Sequence, residues 1–177
     1  MNLLIFEYSS ISEGMKICDE LLTKFDAHLI KHDLRCPGRY ACLLSGTPSN
    51  VDKMENHLKQ SASLKCLTVR SIQNLDERIL EMTNQPVSPQ SGEDLLIVET
   101  KHVVEGYFIL DKLIKTFVLG ETAVLNRLGL FGKGVVIVAG KPQQIQSAYK
   151  MLKTPEFEKI VWQVEMITKP SFSKIRF

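Results

Sequence analysis

The chain has 177 residues, 44% of them hydrophobic and 24% charged, enough apolar material for one large core or two small ones. Its 22 basic and 20 acidic residues leave a net charge of +2, so bulk charge gives no reason to expect nucleic acid or an anionic membrane as partner. No stretch nears the roughly 20 apolar residues of a membrane span, and MNLLIFEYSS has too short an apolar run and no basic flank for a signal peptide, so a cytoplasmic protein is expected.

LLIFE, from Leu3, reads as a short apolar strand, and Ile11, Met15, Cys18, Leu22 and Phe25 then recur at helical spacing. A further strand is expected around Ala27 to Lys31, followed by a turn at RCPGR and the inner strand YACLLSG. Thr47-Pro48-Ser49 opens a second helix with Val51, Met54 and Leu58 on one face, and a last strand falls near Leu67 to Ile72. TNQPVSPQSGED, Thr83 to Asp94, has hardly any apolar residues and reads as an exposed linker. Beyond it the order repeats: the strand LLIVE, a helix marked by Val103, Tyr107, Leu110, Ile114 and Phe117, the strand VVIVAG, a helix opened by Lys141-Pro142-Gln143 with Ile145, Ala148 and Leu152 on one face, and a strand over Val161 to Ile167.

The repetition extends to residue identity. Shifted by 92, Leu3 to Phe25 lies on Leu95 to Phe117 with 10 of 23 positions identical, including Glu7/Glu99, Gly14/Gly106 and Asp19/Asp111. Further along the offset becomes 94, pairing Gly38/Gly132, Gly46/Gly140, Pro48/Pro142, Leu58/Leu152 and Lys59/Lys153. The second copy therefore carries two extra residues, within NRLGLFGK. Two domains follow, 1–82 and 94–177, joined by a linker at 83–93. Each has the order β-α-β-β-α-β, an α+β, ferredoxin-like unit whose antiparallel sheet carries helices on one face.

Four cysteines, Cys18, Cys36, Cys42 and Cys66, occur without a CxxC pair, so a disulfide framework is not expected. Cys18 on a helix stripe, Cys42 in an apolar strand and Cys66 at a strand start read as small hydrophobes of the core. Cys36 differs, because it precedes Pro37 and Gly38 on a turn. Pro37 fixes its own φ and biases Cys36 toward an extended backbone, while Gly38 can take a positive φ. Lys31, His32, Arg35 and Arg39 surround it in sequence. His32 is the histidine to watch; His28, His57 and His102 have no ligand-like companions and read as solvated. The recurring helical pair Gly14/Gly106 suggests close packing. No activated nucleophile, carboxylate pair or metal triad marks an enzyme, and the inner strands lack the aromatic residues with which RNA-binding sheets of this topology stack bases.

LLIVETKHVVEGYFILDKLIK, a strand ending in Glu-Thr followed by a helix with Glu-Gly and a mid-helix Asp, together with VVIVAGKPQQIQSAYK, resembles the shell domain of bacterial microcompartments. The duplication resembles the family's tandem-domain shell proteins, which are homotrimers acting as pseudohexamers around a central pore. RCPGRYACLLSG resembles the pore loop of the iron-sulfur subclass, best known from propanediol-utilisation shells.

The resemblance implies a structural, non-enzymatic shell protein in a cytoplasmic organelle, with no nucleic acid or membrane partner. It implies partnership with other shell proteins and with an encapsulated redox enzyme. It also implies that Cys36 from three chains holds a [4Fe-4S] cluster and passes electrons across the shell, with Arg35, Pro37 and Gly38 lining the pore beside Arg127, Leu128 and Gly129 of the second copy. A cluster takes about four thiolates, and one chain offers no cysteine motif to supply them, whereas three copies of Cys36 on a threefold axis would supply three. The alternative is an open pore in the same trimer, where Lys31, Arg35 and Arg39 select small polar or anionic metabolites; the same charges would otherwise offset a cluster's negative charge. The family's tiling-edge lysine has its counterpart in Lys115, four residues after Asp111, whereas the first copy has Thr23 there. The family's closing Pro-Arg-Pro-His motif is reduced to ITKPSFS and IQNL.

Overall fold

The computed structural model describes residues 1–61, 64–125, 132–171 and 175. They form two compact units, Met1–Asp76 and Glu77–Phe177. The division falls before residue 82, the end of the first domain as read from the sequence.

In the first unit β1 (Leu3–Tyr8), α1 (Ile11–Lys24), β2 (His28–Arg35), β3 (Arg39–Ser45), α2 (Pro48–Gln60) and β4 (Cys66–Ile72) follow in that order. The strands make one sheet, β2-β3-β1-β4, with every neighbouring pair antiparallel. This is the ferredoxin-like topology expected from the repeat. β1 is buried along its whole length, which is why its sequence is a continuous apolar run rather than an alternating one. Leu4, Phe6 and Tyr8 of β1, with Tyr40, Cys42 and Leu44 of β3, pack against Cys18 and Leu21 of α1 and Val51, Met54 and Leu58 of α2.

The helix starts follow local chemistry. The Ser10 hydroxyl accepts from the Glu13 amide at the head of α1, and the Thr47 hydroxyl accepts from the Asn50 amide at the head of α2, where Pro48 occupies a first-turn position that needs no amide hydrogen. The buried stripe of α1 runs through Gly14, Cys18 and Leu21, so Met15, expected in the core, is 49% exposed. The shift comes from Gly14. A Cβ there would stand 2.6 Å from Tyr40 Cδ1 and 2.8 Å from Tyr40 Cβ, and its absence lets the helix backbone lie on the tyrosine.

The second unit opens with a single-turn helix, α3 (Arg78–Glu81), which the sequence reading did not anticipate. β5 (Asp94–Thr100), α4 (Val103–Thr116), β6 (Thr122–Leu125), β7 (Gly134–Gly140), α5 (Pro142–Leu152) and β8 (Val161–Ile167) then repeat the first unit's order. The sheet runs β6-β7-β5-β8, again antiparallel throughout. Val87, inside the segment read as an exposed linker, is fully buried and bridged to Ile175, packing with Leu95, Ala123, Ile137 and Ala139.

Candidate functional site

β2 and β3 form a hairpin whose last register pair is Arg35↔Arg39, so Cys36, Pro37 and Gly38 are its tip. Cys36 is a free, exposed thiol. Gly38 has φ +67°, and a Cβ there would meet nothing within 4 Å. Glycine is the residue best suited to this left-handed backbone, and the space around the tip is open.

Below the tip, register sets which side chains share a face. His32 lies opposite Cys42, Asp33 opposite Ala41 and Leu34 opposite Tyr40, so Lys31, Asp33 and Arg35 share one face and His32 and Leu34 the other. The cations expected to surround Cys36 are partnered there. Asp33 Oδ2 lies 3.5 Å from Lys31 Nζ and 3.6 Å from Arg35 Nη2, and Arg39 Nη1 donates to Glu7 Oε1 at 3.1 Å. Arg35 is 7% exposed and Glu7 is fully buried. Each of these cations lies beside a carboxylate, so the free cationic collar suggested by the sequence is largely compensated.

The second unit contains the counterpart of the Glu7–Arg39 pair. Glu99 and Lys133 occupy the matching positions, and Lys133 Nζ donates to Glu99 Oε2 at 3.1 Å. This pair is open to solvent, its side chains 34% and 39% exposed, and Lys133 also lies 4.0 Å over the Trp162 ring. Sequence reasoning missed both pairs. The coincidence of Glu7/Glu99 under one offset with Arg39/Lys133 under the other was the signal that would have found them.

His32 faces the core side, its Nδ1 3.1 Å from the Tyr40 hydroxyl, with the rings in edge contact. Burial pushes the Tyr40 phenol well above its ordinary range, so the hydroxyl stays protonated and available as a donor to the imidazole. Next to Tyr40, Cys18 Sγ and Cys42 Sγ are 3.4 Å apart. The hydrogen bond between the two thiols lowers the Cys18 thiol, while the same bond and burial push Cys42 far up. Cys66 is half-buried, and burial raises its thiol. His57, expected to be solvated, instead sets Nε2 2.8 Å from Glu20 Oε1 and leans on Phe25.

Lys115 donates to Asp111 Oδ2 at 2.7 Å; the lysine side chain is 41% exposed and the aspartate 5%. At the matching place in α1, Thr23 bonds back to the Asp19 carbonyl at 2.9 Å. Arg127, Leu128 and Gly129 lie outside the described residues. Among the described residues no group of three or more His, Cys, Asp or Glu side chains could hold a metal ion within one chain, and no helix is long and apolar enough to cross a membrane.

No family model matches the sequence. The chain is 23% identical over 155 residues to the bacterial microcompartment shell protein PduT of Citrobacter freundii, a match covering 88% of this chain and 84% of that protein. Its fold is that of a microcompartment protein from Desulfitobacterium hafniense, with a TM-score of 0.71 at 21% identity over 96% of this chain and 94% of the other.

Proposed function

We infer that the protein is a structural, non-enzymatic shell protein of a bacterial microcompartment, located with that organelle in the cytoplasm. Near-full-length similarity to a curated shell protein supports the reading, together with the shared tandem fold. We propose that it acts as a homotrimer with a central pore, in which the hairpin tips of the first domains face one another and the second domains complete a pseudohexamer. On this reading Lys115 lies at a tiling edge toward other shell proteins, and Arg127, Leu128 and Gly129 line the pore beside Arg35, Pro37 and Gly38.

The observation that carries the finer reading is the exposed thiol of Cys36 at the tip of a two-stranded hairpin. The donor chemistry fits an iron-sulfur cluster shared between chains. A thiolate is the ligand such clusters take, one chain offers one at the tip, and three symmetry-related tips offer three. When bound, such a centre supplies one-electron transfer, and an encapsulated redox enzyme would be its partner across the shell. Cys36 would hold it, Gly38 would leave room for it, and the hairpin below would fix the thiol's position.

An open pore selecting small polar or anionic metabolites is the second reading. The pairing of all three cations with carboxylates counts against it, because paired charges make a weak anion filter.

Assembly is tested by the solution mass of the purified protein and of a Cys36→Ser variant. Both are expected at three times the 20.0 kDa of one chain, and both are expected to co-purify with shells in a host making a microcompartment. A monomer that stays out of shells would overturn the reading.

A further inference from the structure

Cys18 and Cys42 come from different elements, the middle of α1 and the middle of β3, and their sulfurs touch inside the first unit's core at 3.4 Å. Cys18 is 5% exposed and Cys42 fully buried. The internal repeat provides a control. Under its two offsets Cys18 matches Leu110 and Cys42 matches Val136, both fully buried in the second unit. The fold therefore fills these two positions with hydrocarbon where it needs only bulk, and it carries sulfur at both or at neither.

Two buried thiols in contact, one on a helix near the core's edge and one enclosed in the central sheet, suit an attacking and a resolving pair once the first is exposed by local opening. We propose that Cys18 and Cys42 are a redox-modification site: a hydroperoxide oxidises Cys18, and Cys42 resolves it to an intrachain disulfide that ties α1 to β3. In the first step the Cys18 sulfur attacks the peroxide, an S–O bond forms as the O–O bond breaks, and the alkoxide or hydroxide leaves with the Cys18 proton. In the second step Cys42 sulfur attacks Cys18 sulfur, the S–S bond forms, the S–O bond breaks, and hydroxide leaves with the Cys42 proton as water. Two electrons pass from the thiol pair to one peroxide. The contact between the two sulfurs, which lowers the Cys18 thiol, favours the first step. Local opening around Cys18 admits the oxidant and brings the sulfurs from contact to bonding distance. A reducing cytosol would restore the thiols, so the bond is a transient one.

The pair also touches the hairpin. Cys42 lies opposite His32 in the β2–β3 register, and Tyr40 two residues along bonds to His32. A bond at Cys42 thus braces the strand that leads back to the Cys36 turn. The inference stands whether or not the protein is a shell component.

The test is hydrogen peroxide titration of the whole folded chain in a Cys36→Ser/Cys66→Ser background, read by alkylation under denaturing conditions and peptide mapping without reductant. The expected product is one peptide joining Cys18 to Cys42, with loss of two hydrogens per chain, reversed by dithiothreitol. In Cys42→Val, which installs the second unit's own residue, the linkage disappears and dimedone captures a sulfenic acid at Cys18. In Cys18→Leu, Cys42 stays a thiol. Recovery of both cysteines as alkylatable thiols from folded protein, at peroxide levels that fully oxidise Cys36 in the wild type, would overturn the proposal. So would a linkage that forms only in denaturant.

Discussion

The two quasi-equivalent ion pairs should respond very differently to loss of their cations. In Arg39→Met the Glu7 carboxylate loses the Arg39 guanidinium inside a strand that is buried on both faces. Removing one partner of a buried pair costs about 3–5 kcal/mol, and because the Arg39 side chain is 21% exposed the lower end, about 3 kcal/mol, is expected. In Lys133→Met the Glu99 carboxylate stays 39% exposed and water takes over, so the pair and the contact with Trp162 together contribute about 1 kcal/mol. Hydrogen exchange read by mass spectrometry, on peptides from β1 and β3 for one variant and from β5 and β7 for the other, gives the opening free energy of each unit separately. Trp162, the chain's single tryptophan, reports the Lys133 change by fluorescence as well. Adding Glu7→Gln to Arg39→Met should restore part of the loss, since the stranded charge is then gone. Equal costs at the two sites would refute the reasoning, because they would mean that burial of Glu7 does not govern its dependence on Arg39.

Gly14→Ala should destabilise the first unit by about 2 kcal/mol, an overpacking cost of about 3 against Tyr40 less about 1 gained in helix propensity; a gain in stability in the same exchange measurement would show that Tyr40 moves freely. Gly38→Ala meets no neighbour but adopts φ +67°, so a loss of about 1 kcal/mol is expected with no change in solution mass. Burial works to raise the Glu55 carboxyl, but hydrogen bonds from Lys59 and Ser71 win and hold it below its ordinary value. A depressed carboxyl adds stability above the unfolded pKa and loses it as pH falls through the folded one. The wild type should therefore exceed Glu55→Gln in stability at neutral pH, with the difference fading below about pH 4 in denaturant titrations. Lys115→Ala should leave solution mass unchanged while reducing two-dimensional sheet formation seen by electron microscopy.

Much of the architecture could be read from the repeat, because a strand-helix pattern written twice identifies the folding unit whatever its individual propensities. The edges were harder. β2 runs to Arg35, beyond the expected end at Lys31, since an edge strand with Leu29, Ile30 and Leu34 exposed has no clean alternation to announce it. The α1 stripe was misassigned by one residue because a glycine, not an apolar side chain, marks its closest approach. At the candidate site the positive φ of Gly38 was foreseen from residue type. The partners were not. Asp33 answers Lys31 and Arg35 through hairpin register, and Glu7 answers Arg39 across the β1–β3 pairing; both depend on which strands become neighbours. The Cys18–Cys42 contact is hidden for the same reason, although both were rightly read as core residues.

The central claim is that the thiol at the hairpin tip becomes a cluster ligand when three chains meet. Native mass spectrometry of protein purified without oxygen, with iron and acid-labile sulfide counted on the same sample, tests it most directly against Cys36→Ser and Cys66→Ser. The expected result is a trimer carrying about four irons in the wild type and in Cys66→Ser, and an iron-free trimer in Cys36→Ser. Iron-free trimers in all three would contradict it, leaving Cys36 as the lining of an open pore.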